Sequence, residues 1–194
     1  MTERADRRGI LVVVSAPSGG GKGSILERVM RADPALRHAV SATTRAPRPG
    51  EVDGRHYYFV DRQTFENWIQ QGRFAEWANV HSELYGTLHD ELDRLAEAGS
   101  DVVLELDVQG MRSMRKLRPE AATVFIEPPS LEELRDRLKK RGDLGEKDLA
   151  LRLRNAEAEL AAKNEYDCRI LNDDLDRAVA DFTAFVQRSR ERAR

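Results

Sequence analysis

The part of the sequence best suited to chemistry is a glycine-rich segment that ends in a lysine. It follows the apolar run 10–14 and reads Ala16-Pro17-Ser18-Gly19-Gly20-Gly21-Lys22-Gly23-Ser24. Glycines let successive backbone N–H groups point inward, and the N-terminus of a following helix adds positive partial charge at the same place. Lys22 adds a cation for the β- and γ-phosphates of a nucleotide. The segment therefore predicts a phosphate-binding P-loop, the alternative being an ordinary turn between a strand and a helix.

Two positions of this loop depart from the usual P-loop pattern. Ala16 stands where the pattern normally begins with glycine, and Gly23 stands where most P-loops carry a magnesium-binding Ser or Thr. Ser24 follows one residue later, and the Gly-Lys-Gly-Ser ending is similar to the Gly-Lys-Gly-Thr ending of adenylate kinases. The loop thus predicts binding of a nucleotide phosphate and leaves the metal's protein ligand open.

A second segment carries two arginines on a loop that prolines stiffen. It reads Ser41-Ala42-Thr43-Thr44-Arg45-Ala46-Pro47-Arg48-Pro49-Gly50-Glu51. Arg45 and Arg48 can clamp an anion between them, because guanidinium groups donate paired hydrogen bonds to oxyanions. Polar and aromatic clusters follow at Tyr57-Tyr58, Phe74-Ala75-Glu76-Trp77, Tyr85-Gly86-Thr87 and Glu105-Leu106-Asp107-Val108-Gln109-Gly110.

Together with the P-loop, this order and spacing resembles the guanylate kinase family over residues 10–174. The most specific part is the Ser-x-Thr-Thr-Arg-x-x-Arg-x-Gly-Glu run that begins at Ser41. The resemblance implies ATP-dependent phosphorylation of GMP to GDP, with dGMP as a further substrate, in GMP recycling and guanine nucleotide biosynthesis. It also implies Mg²⁺ as a cofactor that binds with ATP.

The resemblance assigns two groups of residues to the acceptor nucleotide. Arg45 and Arg48 match the arginines that hold its phosphate, and Tyr57 and Tyr85 match the tyrosines that donate hydroxyl groups to it. The residues that match the readers of the guanine ring are Ser41, Glu76, Thr87 and Asp107.

The chemistry of guanine supports the second group independently. Guanine presents N1–H and N2–H₂ donors beside an O6 acceptor, so carboxylates suit the donor edge and hydroxyls suit O6. Adenine lacks that donor pair, and a buried Glu76 would lose its partners on binding it. The alternative for Glu76 is an ordinary surface carboxylate on a strand.

Further residues match the family's contacts to ATP. The resemblance assigns the whole of segment 16–24 to ATP binding, and it places Asn172 near the donor base. Arg137, Arg141 and Arg152 match the lid arginines that close over the donor phosphates. Alternatives remain at each: a helix rich in arginine can simply face solvent, Arg154 competes with Arg152 for the inward position, and a helix N-cap cluster follows Asn172.

The same resemblance distributes the catalytic roles. Lys22, Arg45 and the three lid arginines are assigned to stabilising charge on the moving phosphoryl group. The acceptor is a phosphate oxygen, so no dedicated base is required. Glu105 stands where many family members have Asp, and together with Ser24 it is the candidate for holding the metal, indirectly through water.

The elements that must position these residues follow an α/β pattern. Short apolar runs alternate with amphipathic stretches, which is typical of a parallel sheet covered by helices. The predicted strands are 10–15, 102–106, 123–126 and 168–171. The predicted helices are 22–31, 88–98, 131–141, 147–163 and 175–188, the third opened by a capping box at Ser130-Leu131-Glu132-Glu133.

One segment interrupts the alternation and reads as a mixed α/β insert, with strand-like pieces at 56–60 and 74–80 and a short helix near 64–70. The expected architecture is therefore an α/β P-loop three-layer sandwich with a parallel central sheet, a mixed GMP-binding insert and a short helical lid. The predicted division of this single domain is a core (1–37, 88–136 and 157–194), an insert (38–87) and a lid (137–156).

Composition limits the class of protein. The chain has 194 residues, 32 basic and 34 acidic, with a net charge of −2 and a single cysteine, Cys168. That balance argues against a general nucleic-acid binder, and the short apolar runs argue against a membrane span. One cysteine excludes an internal disulfide and a cysteine metal cluster. We expect a cytoplasmic enzyme acting on small molecules; the sequence does not indicate its oligomeric state.

Two other functions compete with a guanylate kinase activity. The first is a non-catalytic binding module of the same fold, although such modules typically lack an intact P-loop or clamp. The second is an enzyme of the same fold that phosphorylates another acceptor, such as a ribose bisphosphate or another nucleoside monophosphate. The predicted guanine readers distinguish this second alternative.

Overall fold

The computed structural model describes residues 9–80, 82–140 and 145–193. The predicted Arg141 contact lies outside these residues. In chain order the elements are β1 (Leu11–Ser15), α1 (Lys22–Ala32), β2 (Leu36–His38), β3 (Ala42–Thr43), β4 (Tyr58–Phe59), α2 (Arg62–Gln70), β5 (Phe74–Val80), β6 (Glu83–Leu88), α3 (His89–Glu97), β7 (Asp101–Glu105), α4 (Val108–Leu117), β8 (Ala122–Glu127), α5 (Leu131–Lys140), α6 (Glu146–Ala161), a 3₁₀ turn (Lys163–Glu165), β9 (Cys168–Leu171) and α7 (Leu175–Arg192).

Among the described residues, five strands form a central sheet in the order β2-β7-β1-β8-β9. Every neighbouring pair in it is parallel, as predicted. The middle strand β1 is buried on both faces, because Val12 and Val14 pack towards α1 and α7 while Val13 packs towards α3 and α4. The predicted three-layer α/β fold is confirmed.

A second sheet within the described residues has the order β4-β3-β6-β5 and mixed strand directions. The pairs β3–β6 and β5–β6 are antiparallel, whereas β3 and β4 run parallel. Its own small core is built on Phe65 of α2 and Phe74 of β5, whose rings stack with centroids 4.3 Å apart. The mixed character expected of the insert is confirmed.

Among the described helices, α4 is the one that sequence patterns missed. Residues 108–117 contain Gly110, a poor helix former. The helix begins at Val108 because Asp107 caps it. The Asp107 side chain accepts a hydrogen bond of 2.7 Å from the Gly110 N–H. Strands β2 and β3, of three and two residues, are too short for an alternating pattern.

The elements around the predicted lid follow their sequence signals closely. The Ser130 hydroxyl accepts a 3.0 Å hydrogen bond from the Glu133 N–H, so the capping box forms. Helices α5 and α6 then pack through Leu134, Leu138 and Ala156. In the part of the chain that the structure describes, no helix combines the length and apolarity that crossing a membrane requires.

Candidate active site

The P-loop connects β1 to α1 and depends on two glycines in the left-handed region. Gly19 and Gly21 have φ values of 86° and 88°, which residues other than glycine rarely adopt. Gly20 donates its N–H to the Pro17 carbonyl at 2.8 Å and closes the turn. Helix α1 begins after Gly21 with no side-chain cap, so its first N–H groups are available to an anion at the loop.

Asn172, predicted near the donor base, supports the P-loop from the other side. Its side-chain amide donates a 2.8 Å hydrogen bond to the Gly20 carbonyl, and only 6% of the residue is exposed. A Cβ atom on Gly21 would lie 2.0 Å from the Asn172 Nδ2 atom. The N-cap of α7 is a different residue, Asp174, which accepts from the Arg177 N–H. Asn172 therefore holds the loop, and its contact with the base stays a prediction.

Lys22 lies at the first position of α1 and pairs with a carboxylate from the neighbouring strand. Its Nζ atom is 2.9 Å from Glu105 Oε2, and the other oxygen, Oε1, is 2.9 Å from His38 Nε2. Burial alone would raise the pKa of Glu105, but the Lys22 charge and the His38 hydrogen bond outweigh it and lower the pKa to about 2. Glu105 is thus a carboxylate at neutral pH.

The predicted lid arginines differ in their contacts. Arg152 of α6 donates from Nη1 to the Ser18 hydroxyl of the P-loop at 3.1 Å, whereas Arg154 is exposed. Arg137 of α5 donates to the Asn172 carbonyl at 3.0 Å and pairs with Glu133 at 2.6 Å. Arg152 is thus the one of these two residues that contacts the P-loop, and its contact with the ATP phosphates stays a prediction.

The acceptor clamp carries an internal countercharge. The two terminal nitrogens of Arg45 contact the two Glu51 oxygens at 2.9 Å each, and Glu51 also accepts from the Arg48 N–H at 2.7 Å. The Arg45 hydrogen bond lowers the pKa of Glu51 to about 2. Tyr57 lies beside the clamp, with its ring centroid 5.5 Å from the Arg45 guanidinium carbon and 5.9 Å from the Tyr85 ring. Arg45, Tyr57 and Tyr85 thus line one position.

The predicted guanine readers meet where β5 and β6 approach α4. The Ser41 and Thr87 hydroxyl oxygens are 3.0 Å apart, and Glu76 is paired with Thr87 across the two strands. Glu76 is only 7% exposed, which excludes the surface-carboxylate alternative. Its Oε2 atom lies 3.2 Å from where a Cβ of Gly110 would stand, next to the Asp107 cap. Burial and, secondarily, the Asp107 charge raise the pKa of Glu76 to about 7.

Three residues near the site were not assigned from the sequence. Glu51 ends the run that begins at Ser41. Its spacing of three residues from Arg48 was a sequence signal that could have identified it as a partner of the arginines. His38 ends the short strand β2, which had no sequence signal. Glu159 of α6 faces the site as well: burial raises its pKa to about 7, with a contribution from Asp107 that the Lys22 charge opposes.

The residues considered for Mg²⁺ supply oxygen atoms but no closed cage. Among residues 9–80, 82–140 and 145–193, no group of three or more His, Cys, Asp or Glu side chains could hold a metal ion. Ser24 is exposed in the first turn of α1, and the Glu105 carboxylate lies at the loop. This donor set fits a hydrated ion held mainly by nucleotide oxygens, since Mg²⁺ keeps several waters in such sites.

The geometry therefore has two anion-binding parts joined by a carboxylate-rich edge. One is a P-loop with its lysine and a lid arginine, and the other is an arginine and tyrosine cluster on the smaller sheet. A P-loop combined with a separate cluster of arginine and tyrosine side chains and a group of buried polar residues is the arrangement of a phosphotransferase that acts on nucleotides.

Comparisons with known proteins identify the family. The family model for guanylate kinase matches residues 8–189. The chain is 47% identical over 182 residues to the guanylate kinase of Rubrobacter xylanophilus, covering 94% of this chain and 95% of that protein. It is 47% identical over 179 residues to that of Carboxydothermus hydrogenoformans, covering 92% and 88%.

A solved structure agrees. The guanylate kinase from Anaplasma phagocytophilum has a TM-score of 0.77 and 31% identity, covering 95% of this chain and 87% of that one. The chain belongs to the guanylate kinase family, as its sequence resemblance predicted. It is a nucleoside monophosphate kinase, an ATP-dependent enzyme of the transferase class.

The P-loop geometry yields a first prediction from a matched pair of substitutions. Gly21→Ala places a side chain at φ 88° and against Asn172, whereas Gly23 has no neighbouring atom within 4 Å of an added Cβ. We expect Gly21→Ala to lower the free energy of unfolding by about 2 kcal/mol or more and to abolish ATP binding. Gly23→Ala should stabilise the helix by up to about 1 kcal/mol and retain ATP binding.

Urea unfolding and calorimetric ATP titration measure both variants. Equal losses in the two would show that the left-handed conformation at Gly21 does not set the loop.

The buried Glu76 yields a pH prediction. An acid with a pKa raised to about 7 loses its charge as the pH falls below that value, and only the charged form accepts both donors of guanine. The KM for GMP should therefore rise about tenfold between pH 8 and pH 6, following the ionised fraction. Glu76→Gln does not titrate and separates this effect from ionisation of the GMP phosphate. Identical pH profiles for the KM of the wild type and this variant would contradict the assignment.

Proposed function

We propose that the chain transfers the γ-phosphoryl group of ATP to the phosphate of GMP, forming ADP and GDP, with its residues in the roles given below. The proposal rests on two features found together: an intact P-loop lysine, Lys22, and a buried carboxylate, Glu76, on the smaller sheet. The first feature suits a phosphate donor, and the second suits a base with a donor edge.

On the donor side, the loop 16–24 binds the β- and γ-phosphates of ATP. Gly19, Gly20 and Gly21 shape the backbone, and the α1 N-terminus supplies positive potential. When ATP binds, Lys22 keeps its contact with Glu105 and directs its remaining ammonium hydrogens to the phosphate oxygens. Arg152, already on Ser18, and Arg137 lie close enough to add charge as the phosphoryl group moves.

On the acceptor side, Arg45, Arg48, Tyr57 and Tyr85 hold the GMP phosphate. Arg45 is bonded to Glu51 on one edge, which fixes its guanidinium plane over Tyr57. The acceptor oxygen is already nucleophilic at neutral pH, so the protein's contribution is alignment and neutralisation of charge.

The guanine ring is read by Glu76 and Asp107 on its donor edge and by the Ser41 and Thr87 hydroxyls at O6. With adenine, the buried Glu76 carboxylate would lack the N1–H and N2–H₂ donors of guanine, and the cost of that desolvation disfavours adenine. dGMP lacks the ribose 2′ hydroxyl but has the same guanine ring, so these base contacts are kept. We therefore expect dGMP to be a second substrate.

Mg²⁺ accompanies ATP in this proposal. When bound, the ion would supply positive charge that neutralises the phosphate oxygens of ATP. Glu105 is the protein group placed to orient its water ligands, and Ser24 is the nearest P-loop hydroxyl after the lysine. Gly23 contributes no ligand.

We assign segment 38–87 to acceptor binding and 137–156 to a lid over the donor, the remainder being the core. Closure of both would exclude water from the transfer and suppress hydrolysis of ATP. Substrates are the only partners in this proposal, and the place of action is the cytoplasm.

A substrate panel tests the function. In a coupled assay with ATP, we expect kcat/KM for GMP to exceed that for AMP by about 10⁴, with dGMP turned over and UMP and a ribose bisphosphate inactive. Lys22→Met should lower kcat by roughly 10²-fold or more while the protein stays folded, because the lysine charge acts mainly in the transition state. Lys116→Met, on the exposed side of α4, is the matched control.

ATP binding without turnover of any acceptor would favour the binding module. Turnover of AMP equal to that of GMP would contradict the base-reading roles.

A further inference from the structure

Three neighbouring parallel strands bring His38, Glu105 and Lys22 into one chain of contacts. His38 ends β2, Glu105 ends β7, and Lys22 follows β1 across the P-loop. His38 pairs with Val103 in the sheet register and Glu105 with Val14. The contacts from His38 Nε2 to Glu105 Oε1 and from Lys22 Nζ to Glu105 Oε2 are both 2.9 Å.

The direction of the first hydrogen bond follows from the state of the carboxyl group. Glu105 is ionised at neutral pH, so both of its oxygens only accept. The His38 Nε2 atom must therefore carry the hydrogen and donate it. One carboxylate consequently has two donors on opposite oxygens, and this fixes the rotation of its plane.

Glu105 needs such a restraint more than a shorter side chain would. A glutamate has one more rotatable bond than an aspartate and loses more conformational entropy when it is held in place. Its side chain is 33% exposed and that of His38 is 31% exposed, so packing alone does not confine either group. The hydrogen bond supplies the restraint that burial does not.

We propose that His38 is a positioning residue for phosphoryl transfer, which acts by fixing the Glu105 carboxylate so that Lys22 Nζ is held at the entrance of the P-loop. His38 itself touches no substrate. The inference deepens the proposed function, on which it rests, and concerns how the lysine is held in place during the transfer step.

Holding the lysine in place has a chemical consequence. A flexible ammonium group must be ordered during each turnover. A displacement of a catalytic group by about 1 Å is enough to lower the rate. Loss of the His38 donor should thus reduce kcat more than it weakens binding of either nucleotide, because the P-loop backbone and the acceptor clamp are unchanged.

The test uses two substitutions at one position. His38→Leu fills similar space without a donor, whereas His38→Gln places an N–H donor at about the reach of Nε2. We expect His38→Leu to lower kcat about tenfold, the loss expected for one hydrogen bond to a charged group, with less than a twofold change in KM for ATP and GMP. His38→Gln should recover most of kcat.

A double-mutant cycle with Glu105→Asp provides a readout that a merely structural role would not move. The shorter carboxylate withdraws from His38, so His38→Leu should have no further effect on kcat in the Glu105→Asp background. Calorimetric ATP affinity and the thermal midpoint of every variant are measured beside the kinetics, so that loss of folding is recognised.

Three results would overturn the inference while leaving the proposed function standing: an unchanged kcat in His38→Leu, a failure of Gln to rescue a folded protein, or full additivity in the cycle. A wild-type enzyme that does not phosphorylate GMP would instead refute the function.

Discussion

The site depends on the arrangement by which parallel strands end at the same edge of the central sheet. Strands β1, β2 and β7 are neighbours, and their carboxyl ends deliver the P-loop, His38 and the Glu105 to Asp107 segment side by side. In open α/β sheets this edge is where ligands bind. The smaller sheet is joined to the same edge through α4, which packs on β5, so the central sheet sets where Glu76 lies relative to the P-loop.

The P-loop lysine and the clamp arginine are each paired with an acid. Lys22 is paired with Glu105, and Arg45 is paired with Glu51. Each pair restrains a long side chain that we propose binds a phosphate.

Much of this could be read from the sequence, for reasons that differ between elements. The P-loop, the parallel strands and helix α5 follow from local signals: glycine spacing, buried apolar runs and the capping box at Ser130.

The residues and elements that were missed depend on contacts between distant parts of the chain. Helix α4 was not predicted, because it contains Gly110, which leaves room for Glu76, and because Asp107 was assigned to a ligand and not to a helix cap. His38 could not be found, because its partner Glu105 is 67 residues away and only strand pairing brings them together. Glu51 lies close to the arginines in the sequence, but its ion pair with Arg45 is seen only in the structure.

The central claim is that one face of the site takes an adenine nucleotide by its phosphates and the other reads guanine. It is tested most directly by calorimetric binding of two bisubstrate analogues, in which adenosine is joined through a polyphosphate either to guanosine or to a second adenosine. The account predicts that the mixed analogue binds at least about 100-fold more tightly. It also predicts that Glu76→Gln removes most of that difference. Equal affinity for the two analogues in the wild type would contradict the account.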